Sequence, residues 1–164
     1  MVLVAPPLKT RLACLVYEAL LLFGPVFAAG WLFSVVMQQR HALLMRHGMQ
    51  AWLFFVLGIY FAWFWSHGRQ TLPMKTWHIR LVNEQGGPIS FFRAALRYIL
   101  SWMWFLPGLA LAWLLQAQHW ASLLLPLANI LLWGAASRLD PERQFLHDRM
   151  LGTRLIGTKP KEAG

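Results

Sequence analysis

Charged residues are scarce in this chain. Only 13% of its residues are Asp, Glu, Lys or Arg, whereas an ordinary soluble domain has about 25%. Instead, 58% of the residues are hydrophobic, with ten Trp and eleven Phe, and the mean hydropathy is +0.47. So little charge cannot cover a small protein in water. We therefore predict an all-α membrane protein, and the length of 164 residues fits one compact helical bundle rather than two domains.

Cysteine and acidic residues are scarce too. With one cysteine, Cys14, a disulfide framework and a cysteine-based zinc site are excluded within a single chain, and its apolar surroundings predict a packing role. Six Asp and Glu against fifteen Lys and Arg give a net charge of +9 and a pI of about 10.9. In a soluble protein such values would indicate nucleic-acid binding. Here fourteen of the fifteen basic residues lie outside the apolar runs, so we predict that they orient the chain in a membrane and that nucleic acid is not a partner.

Four apolar segments are each long enough to cross a bilayer, whose core needs about 20 apolar residues of helix. They cover about 12–37, 49–66, 94–117 and 119–136, and we predict four transmembrane helices. A signal peptide cleaved near Gly30 is the alternative for the first segment. The apolar run continues beyond that point, which favours a retained span.

Three local features predict how the last two spans are built. Pro107-Gly108 predicts a kink or break in the third span. Asn129 is a polar side chain within the fourth, and we expect it to bond to a neighbouring helix. The short link from Gln116 to His119 predicts that the two spans form an antiparallel hairpin.

The distribution of Lys and Arg predicts the orientation of the chain. The first loop contains two of the fifteen, Arg40 and Arg46, and the last loop contains none. The other thirteen lie in the two terminal segments and in the middle segment. Because cytoplasmic loops are enriched in Lys and Arg, both termini and the middle segment should be cytoplasmic.

The middle segment is long for a simple connector. Residues 76–82 alternate polar and apolar side chains and end at a Gly-containing turn signal, and residues 153–156 form a second β-prone run. We predict that the two runs pair as a small cytoplasmic β element against the bilayer. In this arrangement Trp77, Ile79 and Leu81 would face lipid headgroups or the helix ends. The alternative is an interfacial coil.

Two charged residues belong to the first span. Arg11 and Glu18 are seven positions apart and therefore share one face of a helix. Arg11 lies at the predicted membrane boundary, where a long side chain can snorkel. Glu18 lies about two turns deeper, roughly 10 Å along the helix axis. A carboxyl group at that depth is costly, and it fits a proton-coupled carrier and a structural interhelical hydrogen bond equally well.

Three more candidates lie farther along the chain. Arg97, near the start of the third span, is a natural counter-ion for Glu18 or for a carboxylate of the tail, with a positive-inside anchor as the alternative. Asp148 follows the fourth span, in a segment whose Gly-Thr pair allows it to turn back towards the helix mouths. His147 beside it titrates near neutral pH when unperturbed, so it is a candidate proton relay, or else a plain solvated side chain.

The sequence shows no pattern typical of catalysis or metal binding. Its histidines have no metal-ligand spacing with carboxylates or cysteines, and there is no Gly-rich phosphate loop or nucleophile elbow. We therefore expect no enzyme activity, no catalytic residue, no metal site and no cofactor.

Several ordered blocks resemble the RDD family of bacterial multi-pass membrane proteins. Residues 11–18 resemble its opening signature, an Arg at the mouth of the first span followed seven residues later by Asp. Residues 70–77 resemble its middle block, 83–97 the block after it, and 146–153 (Leu-His-Asp-Arg-Met-Leu-Gly-Thr) its closing block, which supplies a second Asp. The resemblance spans about residues 7–157.

The chain departs from the family pattern at two positions. Glu18 stands where the family has its first Asp, which keeps the carboxyl group but adds one methylene. Pro73 stands where Gly is usual, which removes a backbone donor and fixes φ.

The resemblance implies a location and a function. Members of the family are multi-pass proteins of the cytoplasmic (inner) membrane, for which transport of ions or another ligand, including cation/proton exchange, has been suggested. By that analogy Arg11, Glu18 and Asp148 are the site residues.

Two hypotheses follow for the function. In the first, the protein is a small transporter and a homo-oligomer in the bilayer, because four short helices can hardly enclose a pathway. Glu18 alternates between a protonated state and a state paired with a monovalent cation, Arg11 or Arg97 tunes it, and Asp148 gathers cations. In the second, the protein is a non-catalytic scaffold or accessory subunit, and the same four residues form a structural charge cluster closing the cytoplasmic ends of the bundle.

Overall fold

The computed structural model describes residues 5–37, 46–138, 140, 142 and 144–158. This part of the chain is mostly helical, with one two-stranded sheet. The rest includes the predicted first loop and several basic residues on which the predicted orientation depends, namely Arg40, Arg143, Lys159 and Lys161.

The first apolar segment forms one long helical span, Leu8–Val36, with a mean hydropathy of 2.1. It consists of α1 (Leu8–Leu21) and α2 (Phe23–Val36). Leu22 between them keeps right-handed helical φ and ψ, so the helix continues through the junction. Its large apolar side chains are mostly exposed, as expected for a surface that faces lipid.

The second span is α3 (Arg46–Trp65), with a mean hydropathy of 1.4. It packs against α2 and against α5 (Phe91–Ser101). The Trp52 indole Nε1 donates a hydrogen bond of 2.9 Å to the Ala29 carbonyl and ties α3 to the first span.

The third apolar segment is a bent pair of helices. A 3₁₀ turn (Trp102–Trp104) follows α5, and α6 (Leu106–Leu114) then continues at an angle of 40°. Proline has no N–H and its ring obstructs the preceding turn, so Pro107 at the start of α6 accounts for the bend. The predicted break is confirmed.

Asn129 satisfies backbone groups at this bend. Without an N–H, Pro107 cannot bond to the carbonyl of Met103, four residues earlier. The Asn129 Nδ2 donates to that carbonyl at 3.2 Å and to the Trp104 carbonyl at 2.6 Å. The predicted bond from Asn129 to a neighbouring helix is therefore confirmed, and its target is the backbone freed by the proline.

The last long helix is α7 (Trp120–Ala136), which packs closely on α6 as a hairpin, as predicted. A Cβ atom added at Gly108 would lie 2.7 Å from the Cα of Pro126, so the two backbones approach within a distance that only glycine allows. Among the described residues, two helices are long and apolar enough to cross a membrane, or three if the bent pair counts as one span. The predicted fourth span, α7, is a shorter apolar helix.

The helices begin earlier than the predicted apolar segments. The first three start at Leu8, Arg46 and Phe91, because each includes a less apolar first turn. The Ser90 side chain accepts a hydrogen bond from the Arg93 N–H at 3.3 Å and fixes the start of α5.

The predicted pairing of the two β-prone runs is confirmed. After the short helix α4 (Leu72–Thr76), β1 (Ile79–Asn83) pairs in antiparallel register with β2 (Thr153–Gly157). Leu81 lies opposite Leu155 at the centre of the pair.

The buried face of this sheet packs against the helix ends. Ile79 and Leu81 are buried in the main hydrophobic core, whereas Trp77 remains partly exposed. Two side-chain amides complete the sheet edges: Gln70 donates to the Ile79 carbonyl at 2.7 Å, and Gln144 bonds to both backbone groups of Leu155 at 3.0–3.2 Å.

Tail, middle segment and the start of the first span meet at one end of the bundle. The short helix α8 (Leu146–Met150) packs against α5 and β2, and α4 packs against α1. Cys14 is buried in the core formed there, which confirms its packing role. The fold therefore concentrates its polar buried residues at this end.

Candidate functional site

The tail provides the counter-ion of Arg97. Its Nε donates to Asp148 Oδ1 at 2.6 Å and its Nη2 donates to Oδ2 at 3.2 Å, a two-pronged ion pair between α5 and α8. Asp148 is 0% exposed and Arg97 is 6% exposed. Of the two partners expected for Arg97, the tail carboxylate is therefore the one it binds.

Neighbouring groups complete this pair. The Thr153 hydroxyl donates to Asp148 Oδ1 at 3.0 Å. The Arg97 guanidinium carbon lies 4.3 Å from the centre of the Trp65 ring, in cation–π geometry. This buried, two-pronged ion pair joins α3, α5, α8 and β2 into one unit.

Asp148 stays ionised in this setting. Burial alone would raise its pKa, but the charge of Arg97 and the hydrogen bonds from Arg97 and Thr153 hold the pKa below the usual range of a carboxyl group. Because its side chain is covered and its oxygens are bonded, Asp148 has no open face with which to gather cations.

His147 is buried rather than solvated. It is 2% exposed, its ring stacks on that of Phe145 with centroids 5.7 Å apart, and its Nε2 lies 3.6 Å from Asp148 Oδ2. Burial lowers its pKa to about 4, although the negative charge of Asp148 opposes the shift. The expectation of a solvated histidine is wrong, because the tail folds back and covers it. A pKa this low also argues against His147 exchanging protons near neutral pH.

Arg11 does not snorkel to the surface. It is 3% exposed, and its guanidinium carbon lies 4.4 Å from the centre of the Phe145 ring. The expectation that its head reaches solvent is wrong because Phe145, at the start of α8, lies over it. None of the described residues accepts a hydrogen bond from its Nε or Nη1 atom.

Glu18 lies on the same buried face of α1 as Arg11, as the spacing predicted. Its Oε2 accepts a hydrogen bond of 2.7 Å from the Thr71 hydroxyl. The Tyr60 hydroxyl approaches the carboxyl group without reaching hydrogen-bonding geometry. The other oxygen, Oε1, is buried and has no partner in the described part of the chain.

Thr71 has two roles that the sequence analysis missed. Its hydroxyl also accepts from the Met74 N–H at 3.4 Å and caps α4, whose second residue is Pro73. A threonine two residues before a proline is a helix-start signal, so the cap was recognisable from sequence. Its bond to Glu18 joins residues that are 53 positions apart, so this contact was not recognisable from sequence. Proline at position 73 fits this helix start, where its missing N–H leaves no bond unmade.

A cavity of about 630 Å³ brings four of the five candidates together. Arg11, Glu18, Arg97 and His147 line it, and Asp148 lies behind Arg97. Its remaining walls are mostly apolar side chains of α1, α3, α5 and the 3₁₀ turn. The size lies within the range of about 300–1,000 Å³ that is typical of small-molecule sites.

The cavity is lined by a guanidinium group and a carboxyl group that each keep atoms without a hydrogen-bond partner in the described part of the chain. Among the described residues, no cluster of three or more His, Cys, Asp or Glu lies together in a way that would hold a metal ion. What the site offers is one carboxyl oxygen and one guanidinium group, both buried and facing an apolar space.

Comparison with known proteins assigns the chain to a family. The RDD family matches residues 5–152, which include every candidate discussed above except Thr153. No characterised protein and no solved structure gives a significant match. The family match and the long apolar helices indicate a membrane protein. The chain belongs to the RDD family.

Proposed function

We propose that this chain is a multi-pass protein of the cytoplasmic (inner) membrane with four spans and cytoplasmic termini. Support comes from the uneven distribution of Lys and Arg, which favours the cytoplasm for the end of the bundle formed by the tail and the middle segment. The 17 residues of α7 reach the lower limit of about 17 residues for a transmembrane helix.

Within that membrane, we propose a small, non-enzymatic transporter that exchanges protons with monovalent cations. The observation that carries the proposal is the state of Glu18. It is a buried carboxyl group within a long apolar span, it lines the cavity, and its Oε1 has no partner among the described residues. Groups of this kind are expensive in a membrane and typically serve transport.

The hydrogen bonding of Glu18 suits exchange. The Thr71 hydroxyl fixes Oε2, so the carboxyl group keeps its orientation while Oε1 stays without a partner among the described residues. A proton or a monovalent cation would occupy the position at Oε1 in turn. Arg11, two turns away on the same face, would disfavour simultaneous binding of several cations.

A homo-oligomer is part of this proposal. The described helices expose many large apolar side chains, including Phe27, Trp31, Trp113 and Trp120, which suit contact with lipid or with a second copy. Because so few helices enclose little space, we expect the cation pathway to involve a subunit interface.

Ion-driven proton flux in proteoliposomes tests this function. Sodium, lithium and potassium pulses are applied to wild type, Glu18→Gln and Glu84→Gln at matched protein content, and internal pH is read with a dye. Glu84 lies exposed in the turn after β1, so its variant controls for the loss of one carboxylate. We expect flux from wild type and Glu84→Gln, and none from Glu18→Gln. Flux unchanged in Glu18→Gln would reject the mechanism.

A second candidate function, a membrane scaffold or accessory subunit, is favoured by the Arg97–Asp148 pair. A buried ion pair with a two-pronged bond and a further hydrogen bond from Thr153 suits a structural charge cluster at the end of the bundle. In this alternative, Glu18 and Asp148 variants both lower the amount of protein in the membrane, and no ion pulse produces flux. Measuring membrane abundance beside flux separates the two functions.

A further inference from the structure

The Arg11 guanidinium is the least satisfied charged group in the cavity. Arg11 is only 3% exposed, and its Nε and Nη1 atoms find no acceptor among the described residues. Unbonded donors on a buried charge cost free energy that a folded protein normally avoids. The face of the Phe145 ring lies over it, and a ring face supplies no hydrogen-bond acceptor of normal strength.

The nearby carboxylates do not fill this need. Asp148 is bonded to Arg97 and Thr153. Glu18 lies two helical turns away, with its Oε2 bonded to Thr71. His147 has a pKa lowered to about 4 by burial and adds no negative charge. Within the described residues, Arg11 therefore experiences the charge of Asp148 but finds no acceptor for its Nε and Nη1 atoms.

The cavity reaches the lipid-facing surface of the bundle. Its lining includes Leu15 and Val16 of α1 and Phe105 at the start of α6, which are 48%, 63% and 46% exposed. These apolar side chains form the rim of the cavity and would meet acyl chains in a bilayer. An occupant can therefore enter from the membrane without crossing a polar surface.

We propose that an anionic phospholipid binds here, with a phosphodiester oxygen accepting hydrogen bonds from Arg11 and an acyl chain filling the apolar part of the cavity. Arg11 lies in the first turn of α1, near the end of the span, which is the depth of lipid headgroups. A guanidinium matches phosphate oxygens in both charge and geometry. The lipid is a resident of the cavity and is separate from the proton or cation proposed at Glu18.

Native mass spectrometry of the full chain tests the proposal. Delipidated protein is mixed with dioleoyl phosphatidylglycerol, dioleoyl phosphatidylcholine or oleate, and the retained molecules are counted. We expect one phosphatidylglycerol to be retained with a preference of about tenfold over phosphatidylcholine, because the choline cation of phosphatidylcholine cancels the net negative charge that attracts Arg11. Equal retention of both phospholipids, or retention of oleate alone, would overturn the proposal.

Variants locate the site. Arg11→Gln should abolish the preference, whereas Arg93→Gln, an exposed arginine at the same end of the bundle, should keep it. If Arg11→Gln does not fold, Ala19→Phe gives the answer, because Ala19 is an exposed residue that lines the cavity and a larger side chain would obstruct it. Unchanged lipid preference in the folded variants would reject this site. Glu18→Gln should retain the lipid, so failure of this proposal and failure of the transport mechanism are distinguishable.

Discussion

Two arginine–carboxylate sets lie at the same end of this bundle, and they differ in how well they are satisfied. Arg97 and Asp148 bond to each other, with Thr153 and Trp65 completing their surroundings. Arg11 and Glu18 share a helix face and a cavity, yet Arg11 leaves Nε and Nη1 unbonded and Glu18 leaves Oε1 unbonded within the described residues. The first set is suited to stabilising the fold, and the second retains hydrogen-bonding atoms to which a ligand could bind.

The family signature does not distinguish these sets, because by resemblance Arg11, Glu18 and Asp148 are equivalent site residues. The geometry separates them. Asp148 is 0% exposed and its oxygens are bonded, so we infer that it holds the tail onto α5. Glu18 faces the cavity, so we infer that it carries the exchange. Substitutions in the two sets test this difference between a structural ion pair and a functional carboxylate.

Breaking the satisfied pair should have the largest effect. Asp148→Asn leaves the Arg97 charge buried without a counter-ion, which typically lowers the free energy of unfolding by about 3–5 kcal/mol. We expect lower abundance in the membrane and earlier thermal unfolding in detergent. Asp140→Asn is the control, because the Arg149 partner of Asp140 is largely exposed and such pairs contribute about 0–1 kcal/mol. Equal effects of the two variants would contradict the structural role.

Acid should destabilise the region around the Arg97–Asp148 pair in two steps. The pKa of His147 is about 4 when folded and 6.5 when unfolded, so the unfolded chain binds the additional proton and stability falls as pH drops from 6.5 to 4. The loss reaches about 3 kcal/mol at pH 4, since each pKa unit corresponds to about 1.4 kcal/mol. Asp148, with a lowered pKa, adds a further loss below its ordinary value of 3.8. Between pH 6.5 and 4, the free energy of unfolding should change less with pH in His147→Gln than in wild type. His47→Gln, an exposed control, should keep the wild-type dependence.

Removing the hydroxyl that orients Glu18 should have an intermediate effect. Thr71→Val loses the bond to Oε2 and the cap of α4, and it leaves a buried acceptor unsatisfied, which costs about 1–3 kcal/mol. Thr71→Ser keeps the hydroxyl and should restore both stability and ion-driven flux. If Thr71→Val carries flux at the wild-type rate, the orientation of Glu18 does not matter.

Removing Arg11 should have the smallest effect on stability. Arg11→Met loses the contact with Phe145, worth about 0.5–2 kcal/mol, but it also removes a buried charge whose Nε and Nη1 lack partners among the described residues. We expect Arg11→Met to unfold at nearly the same temperature as wild type. Arg97→Met should unfold at a much lower temperature, because it leaves the Asp148 carboxylate buried without its counter-ion. Similar destabilisation by both would show that Arg11 has a structural partner.

Local sequence features predicted much of the fold. The bend at Pro107 follows from the missing N–H of proline, and Asn129 had to find a partner inside an apolar helix. The pairing of β1 with β2 followed from two short alternating runs. Helix starts were less predictable, since polar residues such as those opening α3 belong to a helix that continues beyond its apolar part.

The site was predictable in its members but not in its contacts. Arg97 meets Asp148 across 51 positions, and nothing local to either residue distinguishes this partner from Glu18. Arg11 and His147 both pack against the ring of Phe145 once the tail folds back. These contacts come from tertiary packing, which pattern and spacing do not encode.

The most direct test of this account compares Glu18→Gln with Asp148→Asn for proton flux and thermal unfolding in the same preparations. We predict that Glu18→Gln unfolds like wild type and carries no ion-driven flux. Asp148→Asn should unfold earlier, while the protein that remains folded still carries flux. Full flux in Glu18→Gln, or loss of flux only in step with loss of folded protein, would contradict the division between a structural pair and a functional carboxylate.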